Sequence, residues 1–274
     1  MAGINYATKY SSVVDDKFAL SSLTNGLGNN EYDWVGVQTV AVYSIPDVSL
    51  VDYDMTKADR YGTATELEDE VQEMQISQDK SFTFTIDRAN YDDTMMTKEA
   101  GKRLAVMLSN VVIPYVDTYR IAQMVENAGN TYEATVTSSN AYDSFLEVQA
   151  MLDDDKVPQG NRVCICTAQF YKKIKEDDSF IKQSDLGQTV AFNGQVGEID
   201  GVPVIKAPTS YFPQGAEFII VNPLATVNPV KLQDYKIHDN PVGISGWKVE
   251  FRIRFDSFVL NNKADAVGVC VAPY

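Results

Sequence analysis

Few residues in this chain have the right type for covalent, acid–base or metal chemistry. The 274 residues contain one histidine, His238, and three cysteines, Cys164, Cys166 and Cys270. A Ser-His-Asp or Cys-His site would have to use His238, and a His-rich metal centre cannot be built. His238 lies in Lys236-Ile237-His238-Asp239-Asn240-Pro241, a turn-like context without a recognisable nucleophile. It reads as a surface or interface histidine. Cys164 and Cys166 are two apart on a predicted strand and share a face. Zinc would need about two further ligands at a recognisable spacing, so they read as buried small hydrophobes.

The acidic runs Asp153-Asp154-Asp155 and Glu66 to Glu70 could suggest a metal or a paired-carboxylate hydrolase. The calcium-loop glycine and spacing are missing, and solvated helix ends and a hairpin tip account for both runs. Glycines 187, 194, 197 and 201 match no phosphate-loop or dinucleotide fingerprint. Gly194 to Gly201 reads as two tight turns around a short strand. Lys172, Lys173 and Lys175 are followed at once by Glu176-Asp177-Asp178. Opposite charges that close cancel as a nucleic-acid footprint.

The totals agree. Lys+Arg number 23 against 38 Asp+Glu, a net charge of −15. Such acidity favours solubility and opposes binding to phosphate. A 45% hydrophobic share can build a core. Three cysteines are too few for a disulfide scaffold, so a reducing compartment is expected. The first residues have no charged leader, and no run approaches the roughly 18 apolar residues of a membrane helix.

The elements that must position these residues follow from periodicity. Residues 1–33 are polar and turn-rich and read as an arm. Val35, Val37, Thr39, Ala41, Tyr43 and Ile45 alternate as a strand, and Phe82, Phe84 and Ile86 read as its partner. Between them, residues 52–70 hold seven acids and two bases, the charged tip of a long hairpin. An isolated hairpin is marginal in water, so this one is expected to rest on something outside itself. A helix from Thr97 to Ala128 would span on the order of 45 Å, with Pro114 kinking or splitting it near Asn110. Shorter alternating elements follow, including a helix to Leu152, strands near 161–166, 202–206 and 218–221, and a helix over 169–175. Trp247, Val249, Phe251, Ile253 and Phe255 form the most regular strand, and Val267 to Val271 closes the chain.

This order of parts resembles the major capsid proteins of tailed bacteriophages, the HK97-type fold. Leu152-Asp153-Asp154-Asp155-Lys156-Val157-Pro158-Gln159-Gly160-Asn161-Arg162 resembles the family's entry into its axial (A) domain. Gly194-Gln195-Val196-Gly197-Glu198-Ile199-Asp200-Gly201-Val202-Pro203-Val204-Ile205 is similar to a second stretch of that domain. The resemblance implies an α+β fold with an N-terminal arm (1–33), a β-hairpin E-loop (34–92), a peripheral (P) domain with a spine helix (93–136), an A domain (137–246) and return strands of the P domain (247–274).

It also implies a structural protein, not an enzyme, that needs no cofactor or metal. Its copies would assemble as hexamers and pentamers of an icosahedral head, in the host cytoplasm and then in the virion. The head would enclose double-stranded DNA without sequence-specific binding and without membrane. Scaffolding, portal and decoration proteins are the partners it allows. Some family members crosslink subunits through a Lys–Asn isopeptide bond; no lysine here, Lys57 included, aligns to that role. The expected inter-subunit contacts are acidic hairpin residues Asp59, Glu66, Glu68, Asp69 and Glu70 against Lys98, Lys102 and Arg103 on the spine. The alternatives are an encapsulin-type nanocompartment shell, a carboxylate-based hydrolase, or a monomeric β-rich binding module.

Overall fold

The computed structural model describes residues 22–29, 32, 39–45, 49–56, 59–63, 66, 70–89, 100–177 and 195–273. Glu68, Asp69 and Lys98 lie outside these residues.

The long helix is present, and its α-helical course is interrupted around Asn110, as Pro114 leads one to expect. Helix α1 (Ala100–Met107) runs into a π-helical turn, Leu108–Val112, and then into α2 (Ile113–Glu126). Proline has no N–H, and its ring crowds the carbonyl four residues back, which here belongs to Asn110. Widening the preceding turn, so that Ile113 N donates to Leu108 O, makes room for the ring without ending the helix.

The two halves of this spine serve different sheets. Leu104 and Val116, with Leu108 and Val112, cover Val249, Phe251, Ile253, Phe255, Phe82 and Phe84. Those residues belong to β3 (Gln78–Asp87) and β11 (Gly246–Phe255), which form a three-stranded antiparallel sheet with β10 (Val230–Asp239) in the order β10-β11-β3. Further along, Ile121 and Met124 join Ile165, Ile219, Val221, Val267 and Val269. These line one face of a six-stranded sheet ordered β4-β13-β8-β5-β7-β6. Its strands are β4 (Asn130–Glu133), β5 (Val163–Thr167), β6 (Gln195–Ile199), β7 (Val202–Ala207), β8 (Ala216–Val221) and β13 (Val267–Val271).

The opposite face of the six-stranded sheet is covered by α3 (Ala141–Asp154) and α4 (Ala168–Glu176). Phe145, Val148, Leu152, Phe170 and Ile174 meet Cys164, Cys166, Phe218, Ile220 and Cys270 there. Strands covered on both faces read as unbroken apolar runs, which is the pattern of Val163-Cys164-Ile165-Cys166. Each fully buried Phe, Leu or Ile contributes about 1.5–3 kcal/mol by leaving water. The Gly194–Gly201 stretch contains β6 and then the two-residue turn Asp200-Gly201 into β7. Both turn residues have positive φ (47° and 78°), as a tight primed hairpin turn requires.

Two expectations from periodicity are corrected. The hairpin strand β1 (Thr39–Ser44) pairs with β2 (Glu70–Gln75), not with the Phe82–Ile86 strand. That strand, β3, pairs instead with β11, from Gln78 opposite Phe255 to Asp87 opposite Gly246. Its phenylalanines pack against β11 under the apolar cover that the spine supplies. His238 sits on strand β10 rather than in a turn. The C-terminal return divides between sheets: β11 joins the three-stranded sheet and β13 the six-stranded one. A separate small ladder joins β9 (Thr226–Val227) to β12 (Phe258–Val259).

Candidate functional site

The residues whose types could do chemistry are taken up structurally. Cys164, Cys166 and Cys270 are all buried and unpaired. Burial pushes the Cys166 and Cys270 thiols up to about 12 and holds that of Cys164 well above its ordinary value, so none supplies a thiolate near neutrality. His238 Nε2 lies 3.1 Å from Glu250, whose other oxygen takes Lys248 Nζ at 2.6 Å. Hydrogen bonds from Lys248 and His238 hold the exposed Glu250 carboxyl below its usual range.

Asp153 receives Arg162 Nη2 at 2.7 Å, and Asp155 receives Asn130 Nδ2 at 2.6 Å. Lys172 pairs with Glu176 one turn on, and Lys173 reaches Glu217 at 2.5 Å. Among the described residues, no group of three His, Cys, Asp or Glu side chains could hold a metal ion, and no helix is long and apolar enough to cross a membrane.

Arg162 explains why the Leu152–Arg162 wording matters. Its side chain is almost fully buried, and it closes the α3–β5 connection from within. Nε donates to Pro158 O at 3.1 Å, and Nη2 donates to Val157 O at 2.5 Å as well as to Asp153. The planar fork satisfies a carboxylate of the helix's last turn and two carbonyls of the connection that follows it.

What the fold leaves open is surface rather than cavity chemistry. The hairpin of β1 and β2 is welded at its root. Met74 and Ile76 are buried with Val227 and Leu260. Gln72 Nε2 donates to Val259 O, and Gln72 Oε1 accepts from Asn261 N, both at 2.9 Å. Past the root, Ser77 N donates to Asp256 Oδ2 at 2.7 Å. Asp256 also accepts from Tyr119 Oη at 2.8 Å, tying the hairpin's exit to the spine.

Away from the root, several apolar residues are left uncovered among the described residues. Leu50 is fully exposed, and Met55 and Tyr61 are 75% and 83% exposed. The tip keeps local order through Asp54 N to Arg60 O, Gly62 N to Asp59 O and an edge-to-face Tyr53–Tyr61 pair at 4.9 Å. An exposed apolar set on an ordered projection marks a surface that meets another molecule.

The segment 22–29 is tied to the spine from the other side. Leu23 and Leu27 are buried against Ile121 and Met124. Asp117, fully buried in α2, accepts from Ser22 Oγ, Leu23 N and Thr24 Oγ1. Thr226 Oγ1 donates to Leu27 O, and Asn29 N donates to Thr226 O at 2.7 Å.

Of the expected contact residues, Asp59, Glu66 and Glu70 are exposed on the hairpin. On α1, Lys102 is exposed and Arg103 half-buried. Periodicity missed Asp117, Gln72 and Asp256, which anchor arm and hairpin. Asp117 had a visible signal, a lone carboxylate inside the apolar stripe of a helix.

A spine bridging two sheets, a rooted hairpin and an anchored N-terminal segment together form one architecture. It matches a structure from Mycobacterium phage Che8 with a TM-score of 0.76 at 16% identity, covering 98% of both chains. It matches the capsid structure of the cyanophage P-SCSP1u with a TM-score of 0.77 at 13% identity, covering 98% of this chain and 93% of that one. The mature capsid of bacteriophage PhiM1 matches with a TM-score of 0.74 at 9% identity, over 99% and 94%. The chain has the HK97-type fold of phage capsid subunits. No family model matches it, and neither does any curated protein.

Proposed function

We propose that the chain is the major capsid protein of a tailed bacteriophage, a structural subunit without catalytic activity. It forms hexamers and pentamers of an icosahedral head that encloses double-stranded DNA, assembling in the host cytoplasm and residing in the virion. The observation that supports this reading best is the match in fold to phage capsid chains, which extends over 98–99% of this chain. The exposed apolar hairpin supports it, because a projection rooted on its own subunit and bare at its tip suits a neighbour's surface. The net charge of −15 suits a wall that must not bind packed DNA.

The regions 1–33, 34–92, 93–136, 137–246 and 247–274 then serve as arm, E-loop, P domain, A domain and return strands. The return's last strand, β13, contributes to the A-domain sheet. Acidic hairpin residues Asp59, Glu66, Glu68, Asp69 and Glu70 meet Lys98, Lys102 and Arg103 of a neighbouring subunit. Many such modest contacts, repeated around closed rings, hold a shell together.

Light scattering and negative-stain microscopy of the purified chain, alone and with scaffolding candidates encoded beside it, test this reading. Shells, tubes or rings many times the monomer mass are expected, with DNA as the content of heads from infected cells. A chain that stays monomeric with every candidate overturns the reading, and a protein cargo in place of DNA assigns it to a nanocompartment. Reversing Glu68, Asp69 and Glu70 to Lys lowers assembly yield; unchanged yield and shell stability would remove the acidic-tip contact.

A further inference from the structure

Strand β10 is a sheet edge. Its residues pair with β11 on one side, and among the described residues no strand pairs with the other. The outer side therefore presents a row of backbone N–H and C=O groups, and Gln233 to Asp239 are all exposed. The one irregularity lies at the start, between Val230 and Leu232, which leaves 233–239 as regular strand.

This stretch is complementary to itself. Laid antiparallel about Tyr235, Tyr235 faces Tyr235 of a second copy, and Asp234 and Lys236 face each other twice. Gln233 faces Ile237. The registers two residues away place either Asp234 opposite Asp234 or Lys236 opposite Lys236, and a one-residue slip exchanges the faces.

The charge pattern extends into the neighbouring strand. Asp234 lies opposite Arg252 and Lys236 opposite Glu250 in β11. Arg252 is itself held on its far side by Asp79 through two hydrogen bonds. Across a joined sheet the signs would run Arg252, Asp234, then Lys236 and Glu250 of the second copy, alternating throughout. A second row runs the same way in reverse.

The other face of β10 carries Tyr235 and Ile237, 62% and 44% exposed. The spine covers β11 and β3 but leaves these two bare. Pairing about Tyr235 would bring both copies' Tyr235 and Ile237 side by side.

We propose that β10 pairs antiparallel with β10 of a second copy, centred on Tyr235, joining two three-stranded sheets into one across a two-fold axis. The contact is isologous and goes beyond the shell reading, since it can form between free subunits.

Tyr235→Cys tests the register. Opposed Cβ atoms in such a pair lie about 4.5–5.5 Å apart, so a shift of about 1 Å closes them to the roughly 3.5–4.5 Å of a disulfide, and the native cysteines are buried. Under mild oxidation, Tyr235→Cys should give a covalent dimer, in free subunits or in assembled particles. Ile237→Cys alone should not, whereas Ile237→Cys mixed with Gln233→Cys should. Asp234→Lys or Lys236→Asp, added to Tyr235→Cys, should each lower dimer yield about tenfold.

No dimer from Tyr235→Cys in either form, equal dimerisation of Ile237→Cys alone, or indifference to the charge changes would each overturn the pairing. Shells that form without the disulfide would overturn this contact and leave the shell reading standing. Disulfide dimers from a chain that never assembles would do the reverse.

Discussion

Thr24 Oγ1 donates to Asp117 Oδ1 across 2.6 Å while accepting from Arg120 Nη1 at 3.2 Å, so one hydroxyl links the N-terminal segment to two charged residues of the spine. Asp117 also takes Ser22 Oγ at 2.8 Å and Leu23 N at 2.9 Å. Three donors separated from it by more than ninety residues converge on one buried carboxylate. This is a non-local anchor for a segment with little core of its own.

Replacing that carboxylate should free the segment. Asp117→Ala leaves the Leu23 amide unsatisfied and the largely buried Arg120 without its nearby negative charge, at a cost of about 3 kcal/mol. Amide exchange at Leu23 should rise sharply in Asp117→Ala while amides of α3 stay protected. Equal loss of protection in both places would show that Asp117 supports the whole fold rather than the segment.

Tyr119 gives the hairpin's exit a dependence on alkaline pH. Burial, and then its hydrogen bond to Asp256, push its hydroxyl up to about 12. The unfolded chain releases this proton near 10, so its stabilisation is complete below pH 10 and is lost as pH rises towards 12. Tyr142 behaves alike, buried and bonded to Asp200 at 2.9 Å. Tyr119→Phe should cost about 1–2 kcal/mol at pH 8 and make the decline between pH 10 and 12 shallower. Urea titrations at pH 8, 10 and 11.5 would check both, and an unchanged slope would exclude Tyr119 from the alkaline transition.

These anchors show where the sequence was legible. Strand β11 announces itself, because Val249, Phe251, Ile253 and Phe255 point into the spine while Lys248, Glu250 and Arg252 point out. The α3–β5 connection was legible only as wording that resembles a family, while the role of Arg162 in closing it was not. Strand β2, Glu-Val-Gln-Glu-Met-Gln, was not, since Met74 is its one buried residue. Strand β3 alternates as clearly as β1, so periodicity paired the two. The true partner of β3 lies more than 150 residues away, chosen by the apolar cover of a third element. Alternation reports which face is buried and not against what.

Arg162 should tolerate no conservative replacement. Arg162→Lys offers one ammonium where the fork serves Asp153, Val157 O and Pro158 O. A loss of about 2–4 kcal/mol is expected, with Arg162→Met losing at least as much because all three acceptors are then deserted. The midpoint of urea unfolding reads this directly. A shift within error for Arg162→Lys would mean that charge alone, rather than geometry, holds the connection.

The hairpin tip makes the opposite prediction, that residues which look hydrophobic do nothing for the subunit. Leu50, Met55 and Tyr61 are exposed far beyond what a core residue shows, while the root at Met74 and Ile76 is sealed. Surface changes remote from packing stay within about 0.5 kcal/mol, so Leu50→Ser and Met55→Ser should leave unfolding of the isolated subunit unchanged, while Tyr61→Ser should loosen only the tip's own pair with Tyr53. Met74→Ala, by contrast, should cost about 2–5 kcal/mol through the cavity it opens. The same three serine changes should sharply lower the yield of assembled particles, because the apolar area they remove is the area a neighbour would cover. Unchanged subunit stability with unchanged assembly would assign the tip no role in either.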